Sequence, residues 1–150
     1  MNTRAAIDDF LRQRTLAIVG VSRTGKKFGN VLYRDLKSKG YRLIPVHPAA
    51  ESLEGDRCTP DLQHLPEPVD GIILVVPPAQ SELLVREAHA AGIRRVWLQQ
   101  GAESDQSVQF CRDHRMSVIA GECVLMFAEP AGWAHRAHRW VWKHLDKLPA

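Results

Sequence analysis

Between residues 20 and 29 the chain reads Gly-Val-Ser-Arg-Thr-Gly-Lys-Lys-Phe-Gly, and these residue types suit the holding of a phosphate. Glycines allow positive φ and let an anion approach the main chain. Ser22 adds a hydroxyl donor, and Arg23, Lys26 and Lys27 add positive charge. Three readings share this pattern. From Gly20 to Lys26 the spacing meets the phosphate loop G-x-x-x-x-G-K-[ST], except that Lys27 stands where a Mg²⁺-binding Ser or Thr belongs. No apolar run ends in the Asp that would help hold that metal; the third ends in Val76-Pro77-Pro78. Nucleotide hydrolysis of that kind is therefore disfavoured. The dinucleotide fingerprint G-x-G-x-x-G is met at Gly20 and Gly25, with Ser22 in place of the middle glycine. NAD also wants a carboxylate after the second strand, where this chain has Val46-His47-Pro48. A ligand with an extra ribose phosphate, NADP or coenzyme A, suits that neutral-to-basic lining better. The third reading is a tight strand-to-helix connection with no ligand, and the turn alone fits a site and a bare connection equally well.

Elsewhere the chemistry is thinner. Ser22 is not in a G-x-S-x-G elbow, because Thr24 occupies the second glycine position, so no nucleophile–base set is visible and no catalytic residue is assigned. His135 and His138 share a helical spacing but lack further ligands at metal spacing, so no metal site is expected. Trp133, Trp140 and Trp142 lie among Arg136, Arg139, Lys143 and Lys147. Confined to one helix, they read as a docking or self-association face rather than a nucleic-acid platform. Cys123 follows the last strand; it reads as a small buried hydrophobe, with a mixed disulfide to a thiol ligand as the functional alternative.

To position the glycine turn, the chain must alternate strands and helices. A leading helix is expected over about Thr3–Gln13, then strands over Thr15–Val19, Tyr41–Val46, Gly71–Val76, Arg95–Leu98 and Ser117–Ala120. Helices are expected over about Gly29–Lys39, Ser81–Ala91, Asp105–His114 and Ala134–Leu145. Pro45 should end the second strand, since proline cannot donate to a ladder. The proline-rich stretch from Pro48 to Asp70 reads as a long connection with one short helix near Asp61–His64. This alternation predicts an α/β fold: a Rossmann-like, doubly wound parallel sheet of about five strands with helices on both faces.

The bulk numbers agree with one domain over residues 1–150: 45% hydrophobic and 25% charged residues, with a net charge of +3. A chain of this size buries roughly 70% of its unfolded surface. The charge is too small for a dedicated nucleic-acid binder, no run is long enough to span a membrane, and the first residues lack a signal peptide's apolar centre. Cys58, Cys111 and Cys123 form no CxxC pair and read as free thiols of a cytoplasmic protein.

Five segments carry a family resemblance: Val19-Gly20-Val21-Ser22, Val46-His47-Pro48, Val75-Val76-Pro77-Pro78, Trp97-Leu98-Gln99-Gln100-Gly101-Ala102 and Gly121-Glu122-Cys123. In order and spacing they resemble the single-domain CoA-binding protein family, which is similar to the CoA-binding domain of the succinyl-CoA synthetase α subunit. The likeness covers about Phe10 to Leu148. It implies that Gly20, Ser22 and Arg23, with Val21 between them and Lys26 nearby, meet the diphosphate of coenzyme A or an acyl-CoA. By the same likeness Val46, His47 and Pro48 lie beside the adenosine, Val76, Pro77 and Pro78 form a wall, and Gln99 and Gly101 border the pantetheine path. The family usually has Asn where this chain has His47. The synthetase's phosphorylatable histidine sits on a second domain not expected here. The resemblance thus implies a non-catalytic binder serving as sensor, carrier or regulatory subunit; the alternative is an NADP-binding oxidoreductase or accessory subunit on the same fold.

Overall fold

The computed structural model describes residues 2–129. The helix expected over Ala134–Leu145 lies outside the described residues, as do its tryptophans and histidines and the docking role assigned to them. The main sheet has five parallel strands, β1 (Thr15–Val19), β2 (Arg42–Val46), β5 (Gly71–Leu74), β6 (Arg95–Gln99) and β7 (Ser117–Glu122), in the order β2-β1-β5-β6-β7. Strand pleating divides its side chains between two cores. Leu16, Ile18, Ile73, Trp97 and Ile119 pack with Ile7 and Phe10 of α1 (Arg4–Arg12) and Leu32, Tyr33 and Leu36 of α2 (Phe28–Ser38). Ala17, Ile72, Leu74, Val96 and Leu98 pack with Val85 and Ala88 of α3 (Pro78–Ala90) and Cys111 of α4 (Asp105–Asp113). Each fully buried large apolar side chain stabilises the fold by about 1.5–3 kcal/mol. Trp97, the largest of them, is fully buried, packs edge-on against Phe10 at 5.3 Å and donates its indole N–H to the Glu122 carbonyl at 2.9 Å.

The sheet, its strand count and the helices on both faces agree with the sequence reading; several boundaries differ for physical reasons. Strand β2 does not end at Pro45. It lies at the sheet edge, and the Pro45 carbonyl accepts from the Thr59 amide at 3.0 Å on the side away from β1. The missing N–H therefore removes nothing from the β1–β2 ladder. Strand β5 ends at Leu74, short of the expected Val76, and the prolines after it open a helix instead: Pro77 is the N-cap of α3 and Pro78 its first residue, so the helix starts before the expected Ser81. Strand β7 runs past Ala120 because Gly121, at φ +77°, is an extra bulged residue between the Leu98–Ala120 and Gln99–Glu122 pairs. The long connection holds a hairpin the sequence reading missed, β3 (Ser52–Leu53) with β4 (Asp56–Arg57), turning through Glu54 and Gly55 at φ 51° and 81°. Such left-handed pairs make a two-residue turn whose twist suits a hairpin. The short helix expected near Asp61–His64 is present as a single 3-10 turn at Leu62–His64, capped by Asp61, whose Oδ1 accepts from the Gln63 and His64 amides at 2.9 and 3.0 Å.

Candidate functional site

After β2 the chain crosses back over β1 to build β5 on its other side, so β1 and β5 flank the point where strand order reverses. The loop after β1 leads to α2 on one face and the loop after β5 leads to α3 on the other. Loops that part in this way leave a crevice at the carboxyl ends of the strands. A cleft of about 570 Å³ lies there, lined by Gly20, Val21, Ser22, Val46, His47, Pro48, Val76 and Pro77 together with Val19, Lys27, Phe28, Gly29, Val75 and Gln80. A second concavity, about 500 Å³, is lined by Leu62, Leu65, Val69 and Ile93 among others, at the opposite ends of the strands and away from the glycine turn.

Two glycines set the cleft's floor. A Cβ on Gly20, which has φ +114°, would lie 2.0 Å from the Val75 carbonyl oxygen, so β1 and the β5 exit meet backbone to backbone. A Cβ on Gly29 would lie 2.2 Å from the Gly20 carbonyl oxygen. Gly29 thus serves the close helix–strand contact that the third fingerprint glycine normally serves. Gly25, the sequence's candidate for that role, has nothing within 4 Å of its Cβ position. The fingerprint is therefore stretched: its last glycine comes after the basic crest, inside α2.

The N-terminus of α2 faces this cleft through Lys27, Phe28 and Gly29. Its N-cap, Lys27, makes no side-chain capping bond, and neither does Pro77, the N-cap of α3 and also a lining residue. At α2 the helix-start amides and the positive end of the helix dipole favour an anion; at α3, where Pro77 and Pro78 carry no N–H and the Gln80 amide donates to the Pro77 carbonyl at 3.0 Å, the dipole is the main contribution. The loop's own donors are partly spent. The Ser22 amide donates to Asn30 Oδ1 at 3.0 Å and the Thr24 amide to Ser22 Oγ at 3.1 Å, with the Ser22 and Thr24 hydroxyls 3.0 Å apart. A phosphate would meet the start of α2 and the hydroxyls rather than the Ser22 amide.

On the far wall, His47 Nδ1 accepts from the Ala49 and Ala50 amides, both at 3.0 Å. Nδ1 is therefore the accepting nitrogen of the ring, and Nε2 is left as the one that can donate. An Asn carbonyl could accept the same amides, so imidazole can replace the family's Asn in holding this turn. Among the described residues that line the cleft none is a carboxylate, the group an NAD site uses to read a ribose diol.

Arg23, Lys26, Pro78, Gln99 and Gly101 do not line the cleft. Arg23 and Lys26 stand exposed on the loop crest, and Pro78 is exposed in the first turn of α3. Gln99 is 3% exposed, and its Oε1 accepts from the Val124 amide at 3.1 Å, which spends it on fixing the chain after β7. The Gly101 amide donates to Glu103 Oε2 at 2.8 Å. Cys123 is buried in the α1–α2 core, and burial pushes its thiol up, outweighing a hydrogen bond from Gln99. A thiol so placed is a poor thiolate, which favours the packing role over disulfide exchange. Phe28, 44% exposed on the cleft's lip, was missed because an aromatic at the start of a helix reads as core.

The profile of the CoA binding domain family matches residues 14–129. The chain is 23% identical over 123 residues to YneT of Bacillus subtilis, an uncharacterized protein, covering 81% of this chain and 91% of that one. It is 26% identical over 129 residues to the alpha subunit of the ADP-forming acetate–CoA ligase II of Pyrococcus furiosus, covering 79% of this chain but only 28% of the subunit. Among solved structures, a conserved hypothetical protein of Pyrococcus furiosus is 37% identical with a TM-score of 0.71, covering 74% of this chain and 96% of that one. With its glycine turn, switch-point cleft and uncapped helix starts, this chain belongs to the CoA binding domain family.

Proposed function

We propose that this chain is a single-domain binder of coenzyme A or an acyl-CoA, acting as a cytoplasmic sensor, carrier or regulatory subunit without ligase chemistry of its own. The observation that carries this reading is the convergence of two helix starts without side-chain caps, at Lys27 and Pro77, on a cleft floored by Gly20 and Gly29. Residues present fit the ligand's parts. The start of α2, Lys27 and the Ser22 hydroxyl suit the diphosphate; His47, Pro48 and Val46 suit the adenosine end, where the missing carboxylate admits a ribose phosphate. No helix among the described residues is long and apolar enough to cross a membrane.

Titration calorimetry with coenzyme A, dephospho-coenzyme A, NADPH and NAD tests the reading. Coenzyme A should bind tightest, and at 100 times its Kd should raise Tm by roughly 5–10 °C, the effect of about 2.7 kcal/mol on a domain of this size. Equal affinity for all four ligands would sink it, and tighter binding of NADPH would favour the oxidoreductase alternative.

A further inference from the structure

The β3–β4 hairpin does not line the cleft, yet its tip reaches the loop that does. Asn30, 1% exposed, grips the Ser22 peptide on both sides: Oδ1 accepts its N–H at 3.0 Å and Nδ2 donates to its carbonyl at 2.8 Å. The second Nδ2 hydrogen goes to Glu54 Oε1 at 2.8 Å. A carboxylate only accepts. Reversing the amide would set Asn30 Oδ1 against Glu54 and two N–H groups against each other at Ser22, so Glu54 and the Ser22 backbone fix the same orientation and Glu54 anchors the far side of the Asn30 amide. The same Oε1 accepts from Arg34 Nη1 at 2.8 Å, and that nitrogen also donates to the Gly25 carbonyl at 3.2 Å. One carboxylate therefore holds both ends of the Ser22–Gly25 crest.

The hairpin is fixed well enough to do this. Asp56 Oδ2 accepts from the Tyr33 hydroxyl at 2.6 Å and pairs with Lys37 Nζ at 2.9 Å, tying β4 to α2. Burial disfavours the Asp56 charge, but the bonds from Tyr33 and Lys37 prevail and hold its carboxyl below the usual range. A negative charge near a loop that receives phosphate opposes the ligand through space, so its value there lies in what it positions.

We propose that Glu54 is a positioning residue for ligand binding: through Asn30 and Arg34 it sets the phosphate loop in its receptive shape. This rests on the coenzyme A reading above. The test compares the full chain with Glu54→Ala and Glu54→Gln, by coenzyme A titration and by amide exchange of the ligand-free proteins. Glu54→Ala should bind coenzyme A about tenfold more weakly, the worth of one well-placed hydrogen bond. Glu54→Gln, whose side-chain carbonyl can still accept from Asn30, should stay within about threefold of the parent. Without ligand, the Ser22 amide should exchange faster in Glu54→Ala and at the parent rate in Glu54→Gln.

Tighter binding by both variants would make Glu54 a mere electrostatic opponent and overturn the proposal. So would unchanged Ser22 exchange in Glu54→Ala, or faster exchange with unchanged affinity. Failure of the parent chain to bind coenzyme A would instead remove the reading on which the proposal rests, and the proposal with it.

Discussion

Helices α1 and α4 begin on side chains that satisfy them: Thr3 Oγ1 accepts from the Ala6 amide at 3.1 Å, and Ser104 and Ser107 exchange two bonds of 3.0 Å in a capping box. Helices α2 and α3 begin on Lys27 and Pro77, which supply no side-chain cap. Both α3 and α4 follow strands of the main sheet, so the fold class does not explain the difference. What separates them is the cleft: α2 and α3 flank the strand-order reversal, and α4 stands off to the side. A capping side chain is worth about 1 kcal/mol. Leaving it out at α2 keeps helix-start donors available for a ligand at the expense of the free protein's stability, while α3, opening on Pro77 and Pro78, offers its dipole rather than those donors.

The largest effects should come from the glycines that close the cleft floor. Gly20→Ala and Gly29→Ala press a methyl into backbone oxygen and should each cost about 3 kcal/mol or more, whereas Gly25→Ala, strained only by its φ of +73°, should cost about 1 kcal/mol. Urea unfolding ranks the three, and equal losses would break the assignment of Gly29 as the packing glycine.

The capping contrast can be inverted directly. Ser104→Ala should lose about 1 kcal/mol and leave coenzyme A affinity unchanged. Lys27→Asp should gain about 0.5–1 kcal/mol in the free protein, by capping α2 and favouring its dipole, and weaken coenzyme A at least tenfold. A Lys27→Asp protein that binds coenzyme A as well as the parent would end the argument that the α2 start is kept open for phosphate.

The smallest effect tests the far edge of the sheet, where one group is left poorly satisfied. Glu122 is 7% exposed, and its Oε2 has no partner among the described residues. Burial raises its carboxyl above the usual range, outweighing a hydrogen bond from Asn2. A carboxyl raised on folding contributes stability that is whole below its unfolded pKa and is lost as pH rises through the folded one. Glu122→Gln should therefore gain on the parent as pH rises from about 4 to about 7. A difference that stays flat over that range would mean Glu122 is not desolvated.

Much of this was legible in the chain. Strand and helix order follows from apolar runs such as Ile72–Leu74 and from helix-ending glycines such as Gly40 and Gly92, because these signals are local and periodic. That Gly20, Val21, Ser22, His47 and Pro48 share one cleft was legible because such sheets leave a crevice after their strands. Less visible was the Glu54 hairpin, whose turn is short and whose importance lies in contacts with Asn30 and Arg34, more than twenty positions earlier in one case and twenty in the other. That Gln99 Oε1 is bonded to the Val124 amide could not be read from the chain, because a strand-end position says nothing of which way a side chain is spent.

By itself, then, the sequence determined the parallel α/β plan, the turn where an anion can approach the main chain, and the absence of a ribose-reading carboxylate beside it. These depend on residue type and spacing along the chain. Tertiary structure alone decided that Gly29 rather than Gly25 closes the floor, that two helix starts point without side-chain caps into one cleft, and that Glu54 meets Asn30 and Arg34 behind the loop. Each of these turns on the distance between segments remote in sequence, and only the packing of the helices on the sheet sets that distance.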